Sequence, residues 1–149
     1  MKTVTKEPWE MGRVTVEAKI ENLRDLWEAE SGQRSPGDVR AACIPDAIVD
    51  TGAFTLSLPT ALIQELGLEK ISTRRVMTAA GPREANRYST AKLSIQGRDA
   101  IVDVMELPDG CPALIGQIPL EYMDFVVDPV NQRLIGNPAH GGEWVNDLF

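Results

Sequence analysis

The 149-residue sequence contains only two cysteines, Cys43 and Cys111, and a single histidine, His140. Two cysteines cannot build a disulfide framework, and in a chain without a secretion signal we expect two buried free thiols rather than one bridge. No His and Cys residues share the spacing of metal ligands, so we expect neither a metal nor a cofactor. We expect His140, which precedes Gly141 and Gly142, to be a solvated tail residue.

Clusters of Lys and Arg are also missing, and the net charge is −7. Nucleic-acid affinity depends on concentrated positive charge, which excludes nucleic acid as the main partner. The first ten residues lack the apolar core of a signal peptide, and no later stretch approaches the length of a membrane span. We therefore expect a cytoplasmic protein with no membrane partner.

The composition is that of one globular domain with many turns. Hydrophobic residues make up 43% of the chain, and 12 glycines and 10 prolines are spread along it in turn-like settings. Frequent turns suit many short strands better than a few long helices, so the first expectation is an all-β domain. We divide the chain into an N-terminal segment (1–11), the domain (12–138) and a C-terminal tail (139–149).

Periodic patterns place the main elements. Residues 12–20 alternate between apolar and polar side chains, which predicts a half-buried first strand. Residues 21–38 lose this pattern and predict a long loop with one helical turn, on which Trp27 is interpreted as covering the core rather than contacting a substrate. Pro45 is expected to mark an edge or a bulge in the next strand. A short helix is predicted at 59–66, strands at 74–78, 88–95 and 100–107, and a last hairpin at 125–135.

One motif places a lone carboxylate in a tight turn at the end of an apolar strand. It reads Ile48-Val49-Asp50-Thr51-Gly52-Ala53. A carboxylate in apolar surroundings is costly unless it is hydrogen-bonded or shares its proton, so its position indicates a chemical role. The tripeptide alone also fits a simple Asx turn, which Asp and Gly favour locally.

The order of elements around this motif resembles the retropepsin-like (retroviral-type, clan AA) aspartic proteases, specifically their small prokaryotic members, over residues 12–138. The matching parts are the Asp50 turn, the helix at 59–66, a flap hairpin at 76–81 and the segment Ala113-Leu114-Ile115-Gly116, which crosses beneath the turn. The resemblance implies an all-β, closed β-barrel with one or two short helices. Two features depart from the family pattern: the longer loop at 21–38, and a flap tip with Pro82 beside Gly81 instead of a run of glycines.

The resemblance also assigns roles to individual residues. Asp50 is the expected catalytic acid, the hydroxyl of Thr51 would bond across a dimer, and Gly52 would let the backbone approach the carboxylates. The expected substrate-binding residues lie after the turn and at the flap tip: Ala53, Thr78, Ala79, Ala80, Gly81 and Pro82. Leu114, Ile115 and Gly116 are the expected scaffold beneath the turn.

Peptide hydrolysis of this type needs two carboxylates that share one proton. The sequence has one Asp-Thr-Gly, and Pro108-Asp109-Gly110 lacks the hydroxyl residue, so a two-lobed monomer is excluded and a homodimer must complete the pair. The implied function is an endopeptidase acting on extended peptides or protein substrates. Two alternatives stay open: a catalytically silent homodimeric peptide-binding or dimerisation module on the same fold, and an interaction protein that uses Trp9, Trp27 and Trp144.

Overall fold

The computed structural model describes residues 13–148. The N-terminal segment with Trp9 lies outside the described residues. Within them the chain is mostly strand, with short helices. The strands are β1 (Val14–Asn22), β2 (Ala41–Val49), β3 (Leu56–Pro59), β4 (Lys70–Thr78), β5 (Gly81–Ile95), β6 (Arg98–Leu107), β7 (Leu114–Ile115), β8 (Phe125–Asp128) and β9 (Arg133–Gly136). The helices are α1 (Leu23–Glu30), α2 (Thr60–Glu65) and α3 (Gln117–Tyr122), with single 3-10 turns at Pro36–Asp38 and Pro138–His140.

Seven strands form one mixed sheet in the order β1-β2-β7-β3-β6-β5-β4. Because β1 also pairs with β5, six of these strands close into a ring, and β4 extends from it as the outer strand of the β4–β5 hairpin. The pairs β2–β7 and β3–β6 are parallel and the others are antiparallel. Strands β8 and β9 form a separate hairpin. The predicted all-β fold class with short helices is confirmed, as a ringed mixed sheet.

The core lies inside the ring. Along β1 the side chains of Val14, Ala18 and Ile20 are buried and Val16 packs against the core, while Thr15, Glu17 and Lys19 are exposed, which is the predicted alternation. Leu56 and Val104 are also fully buried. Burying each large aliphatic side chain stabilises the fold by roughly 1.5–3 kcal/mol, so the packed ring fixes the strand ends that surround the motif.

A β-bulge shifts the pairing of β2 with β1 before the motif. Val16 pairs with Ala47 and Ala18 pairs with Ile44, so β2 carries one extra residue between these pairs. That extra length falls at Pro45, which cannot donate a ladder hydrogen bond. The expected bulge at Pro45 is confirmed.

The loop at 21–38 contains a full helix, α1, which a buried carboxylate ties to the start of β2. The side chain of Asp25 is fully buried and accepts hydrogen bonds from Arg40 Nε at 2.8 Å and Arg40 Nη2 at 2.9 Å. These bonds lower the pKa of Asp25 to about 2. Trp27 lies on the outer face of α1 with 60% of its surface exposed, so the interpretation that it covers the core is wrong.

The chain after β9 packs against the β8 end of the fold. Asp124 is buried and accepts hydrogen bonds from the Val145 N–H at 3.2 Å and from the Asn137 side chain at 3.2 Å, and its Oδ2 lies 2.6 Å from His140 Nδ1. The bond with His140 lowers the pKa of Asp124. The expectation that His140 is a solvated tail residue is therefore wrong. The boundary between 138 and 139 stays a prediction.

The cysteines form no bridge with each other, as expected. Cys43 is exposed on β2 and Cys111 is only partly buried, however, so the expectation of two buried thiols is wrong. The longest α-helix among residues 13–148 has eight residues, far short of the length a bilayer crossing needs.

Candidate functional site

Asp50 follows the last residue of β2, and β7 holds it in place. The Asp50 N–H donates to the Ile115 carbonyl at 2.9 Å, and the Ile48 N–H donates to the Ala113 carbonyl at 2.9 Å. These bonds continue the parallel pairing of β2 with β7. The position of the carboxylate is therefore set by main-chain hydrogen bonds to a strand inside the ring.

The turn itself orients the Asp50 side chain. The Gly52 N–H donates to Asp50 Oδ1 at 2.9 Å, and the Ala53 N–H donates to the Asp50 carbonyl at 3.1 Å. A Cβ at position 52 would lie 3.2 Å from Oδ1, so glycine permits this close approach. The simple Asx turn and the candidate catalytic turn are thus one and the same geometry.

Gly116 lies where the chain crosses this turn. A Cβ there would lie 2.5 Å from both the N and O atoms of Thr55 and 2.6 Å from the Ala53 carbonyl, so no side chain fits. The next residues bind the turn directly: the Gln117 N–H donates to the Ala53 carbonyl at 2.8 Å, and the Ile118 N–H donates to the Phe54 carbonyl at 3.0 Å. The start of α3 is therefore attached to the backbone of the turn.

A cavity of about 730 Å³, here called the cleft, lies between this turn and the β4–β5 hairpin. Its size is in the range of ligand-binding pockets, roughly 300–1,000 Å³. The turn contributes Asp50, Gly52, Ala53 and Phe54, the hairpin contributes residues 74–79 and Ala85, β6 contributes Met105, Glu106 and Leu107, and Ser57 and Leu114 complete the lining. A carboxylate on a rigid turn thus faces a cleft that a hairpin covers.

The predicted site residues divide into those that line the cleft and those that shape it. Asp50, Gly52, Ala53, Thr78, Ala79 and Leu114 line it. Thr51, Ala80, Gly81 and Pro82 do not, and Ile115 and Gly116 lie beneath the turn. The roles assigned to all of these residues stay predictions.

The hairpin tip is closed by its own hydrogen bonds. Thr78 Oγ1 donates to the Gly81 carbonyl at 2.7 Å and accepts from the Ala80 N–H at 3.3 Å. Gly81 has a φ of 105°, a conformation that favours glycine. The tip residues outside the lining therefore fix the shape of the hairpin end.

Several residues that line the cleft were not predicted as site residues from the sequence, among them Phe54, Arg74 and Glu106. The Arg74 guanidinium lies over the Phe54 ring, with Cζ 5.8 Å from the ring centroid. Glu106 accepts hydrogen bonds from Asn86 Nδ2 at 2.9 Å and the Tyr88 hydroxyl at 3.2 Å. Burial, reinforced by the nearby Glu106 carboxylate, raises the pKa of Tyr88. Phe54 directly follows the motif, and this adjacency could have marked it as a cleft residue. The position of Glu106 in the cleft depends on strand register, which the sequence does not show.

Residues 13–148 contain no group of three His, Cys, Asp or Glu side chains arranged to hold a metal ion. The cleft is instead lined by one turn carboxylate, apolar side chains and several charged groups of the hairpin and β6. The side chains there are suited to proton transfer and hydrogen bonding.

The fold and this site together define an all-β, retropepsin-like protein with a carboxylate on its strand-end turn. A family model described as aspartyl protease matches residues 40–118, just over half of the chain. The match runs from the approach to β2, through the Asp50 turn and the β4–β5 hairpin, into the first turn of α3. The chain belongs to the aspartyl protease family, which confirms the resemblance found in the sequence. No curated protein matched the sequence.

Proposed function

We propose that the protein is a homodimeric aspartic endopeptidase in which Asp50 of each subunit contributes one carboxylate to a shared active site. Family membership supports a protease-type function. The observation that carries the proposal is the Asp50 carboxylate, which is held by its own turn and lines a cleft beneath a hairpin.

The chemistry requires a second carboxylate, which in the proposed dimer comes from the partner subunit. Glu106 also lines the cleft, but two hydrogen bonds from β5 side chains already hold its carboxylate. In the dimer, one Asp50 would take a proton from the attacking water while the partner subunit's Asp50 protonates the carbonyl oxygen of the peptide. Two-fold symmetry would place a single active site on the dimer axis.

The substrate class follows from the hairpin. Among the described strands, β4 pairs with β5 alone, so its second edge remains available to a peptide. An extended peptide can add to such an edge by strand-like hydrogen bonding while its side chains enter the cleft. We therefore propose extended peptides, or unfolded segments of proteins, as substrates.

A catalytically silent peptide-binding or dimerisation module is the second candidate. The hairpin tip favours it, because Ala79, Ala80 and Pro82 stand where the resemblance leads us to expect a run of glycines. Proline and the closed Thr78 hydrogen bonds restrict the motion of the tip. Such a module would bind peptides saturably without turnover at any pH.

The test is cleavage of an unfolded peptide library across roughly pH 3.5 to 7, where a carboxylate pair is expected to share one proton. Asp50→Asn should abolish turnover while the dimer, measured by light scattering, persists. Asp46→Asn is the matched control, because this exposed carboxylate lies on the same strand. Turnover that survives Asp50→Asn would contradict the proposal. If a confirmed dimer cleaves no peptide but binds peptides saturably, the peptide-binding module is supported instead.

A further inference from the structure

We propose that Arg74 makes the enzyme prefer peptides that carry an acidic side chain, Asp or Glu, a few residues from the cleaved bond. This inference rests on the proposed endopeptidase function and adds a substrate preference to it. Arg74 lies on β4 and lines the cleft.

The strand register and an aromatic contact place the Arg74 side chain on the cleft side of the hairpin. Its cross-strand neighbour, Ala85, also lines the cleft, and directly opposed residues share one face of a sheet. Its guanidinium lies over the ring of Phe54, which follows the Asp50 turn. A guanidinium carries five N–H donors, so a contact with the Phe54 ring leaves donors that can bind a planar carboxylate.

The carboxylates of Asp103 and Glu106 are held by residues other than Arg74. Among residues 13–148 no carboxylate forms a salt bridge with Arg74. Asp103 is paired with Arg87 at 2.6 Å, and Glu106 accepts hydrogen bonds from two β5 side chains. The neighbouring Arg75 also lines the cleft and lies opposite Glu84 in the hairpin register, but it does not share the contact with Phe54. Arg74 is therefore a positive group in the cleft that an acidic substrate side chain would complement.

A second cavity indicates where the acidic side chain would lie. This cavity, of about 270 Å³, shares Phe54, Arg74 and Met105 with the cleft and is also lined by the exposed side chains of Ile101 and Ile118. Arg74 stands at the boundary between the two cavities. A peptide that leaves the cleft in this direction would pass its guanidinium, at a spacing of about 3.3 Å per extended residue.

The test uses peptides with one cleavable core, in which each flanking position is varied in turn among Glu, Gln and Lys, at about pH 5.5, where glutamate is ionised. At one position, wild-type kcat/KM should be roughly tenfold higher for Glu than for Gln, and added salt should reduce this preference. Arg74→Gln should remove the preference and Arg74→Glu should reverse it towards Lys. Arg83→Gln is the control, because Arg83 is an exposed cation of the same hairpin outside both cavities.

The outcomes separate this inference from the proposed function. Cleavage without a Glu preference, or a preference that survives Arg74→Gln, overturns the inference and leaves the endopeptidase standing. Absence of all cleavage by a confirmed dimer overturns the endopeptidase, and binding of the same labelled peptides to Asp50→Asn then decides the role of Arg74. A Glu preference in binding that Arg74→Gln removes supports the inference, whereas equal binding of all peptides, or none, overturns it.

Discussion

Replacing Asp25 by Asn should destabilise the protein by roughly 2–3 kcal/mol at pH 7. Asp25 has no exposed surface, and its carboxylate accepts three hydrogen bonds from Arg40, two from the guanidinium and one from the main-chain N–H at 3.0 Å. Arg34 adds an ion pair at 3.2 Å. The neutral amide would turn one of these acceptor positions into a donor facing a cation.

The magnitude follows from the pKa of the buried carboxyl group. The hydrogen bonds from Arg40 lower the pKa of Asp25 from 3.8 to about 2. This difference corresponds to roughly 2 kcal/mol of folding free energy at neutral pH. Arg40 keeps 43% of its side-chain surface exposed, so it regains water in the variant, which keeps the loss below the range for fully buried pairs.

The pH dependence has a definite sign. Because the folded-state pKa lies below the unfolded one, this stability is present above about pH 4 and is lost as the pH falls towards about 2. Urea denaturation at one protein concentration should show the gap between wild type and Asp25→Asn shrinking over that interval. Asp38→Asn, an exposed carboxylate of the same loop, is the control. A gap under about 0.5 kcal/mol at pH 7, or one that stays constant down to pH 2, would refute this reasoning.

Two further substitutions test the site and the C-terminal packing. Gly116→Ala should cost about 1–3 kcal/mol and lower kcat/KM by roughly 100-fold, because its Cβ must displace the backbone of the turn. Urea denaturation measures the loss of stability and peptide cleavage measures the loss of kcat/KM. Gly37→Ala is the control, because a Cβ at position 37 would meet nothing within 4 Å. Wild-type activity in a folded Gly116→Ala protein would contradict the prediction. His140→Ala should speed hydrogen exchange at the Val145 N–H by roughly fivefold, since that amide shares the Asp124 acceptor, and unchanged exchange would disprove the coupling.

The features that the sequence predicted well are local in the chain. The Asp50 turn needs only a strand end, an Asx side chain and a following glycine, and all three lie within four residues. The alternation of β1 and the bulge at Pro45 follow from side-chain period and from the missing proline N–H, which neighbouring residues reveal. The short helix at 59–66 was likewise predicted close to the observed α2.

The features that were missed depend on contacts between distant segments. His140 looked solvated because its neighbours are small, yet its partner Asp124 lies 16 residues away. Trp27 was assigned to the core because aromatic residues are usually buried, but the buried face of α1 is used by Leu23 and Asp25. Glu106 is placed in the cleft by the pairing of β6 with β3, where it lies opposite Leu58, and no short pattern encodes this pairing.

The difference between main-chain and side-chain contacts also determines which parts of the site can be substituted independently. Asp50 is positioned by main-chain bonds to Ile115 and Gly52, and the crossing at Gly116 excludes any side chain. The position of the carboxylate therefore depends little on the side chains that line the rest of the cleft. Arg74, by contrast, is an exposed residue of the hairpin that lines the cleft and contacts Phe54. Substitutions on the hairpin should thus leave the turn intact, which is why the proposed preference at Arg74 and the proposed chemistry at Asp50 can be tested separately.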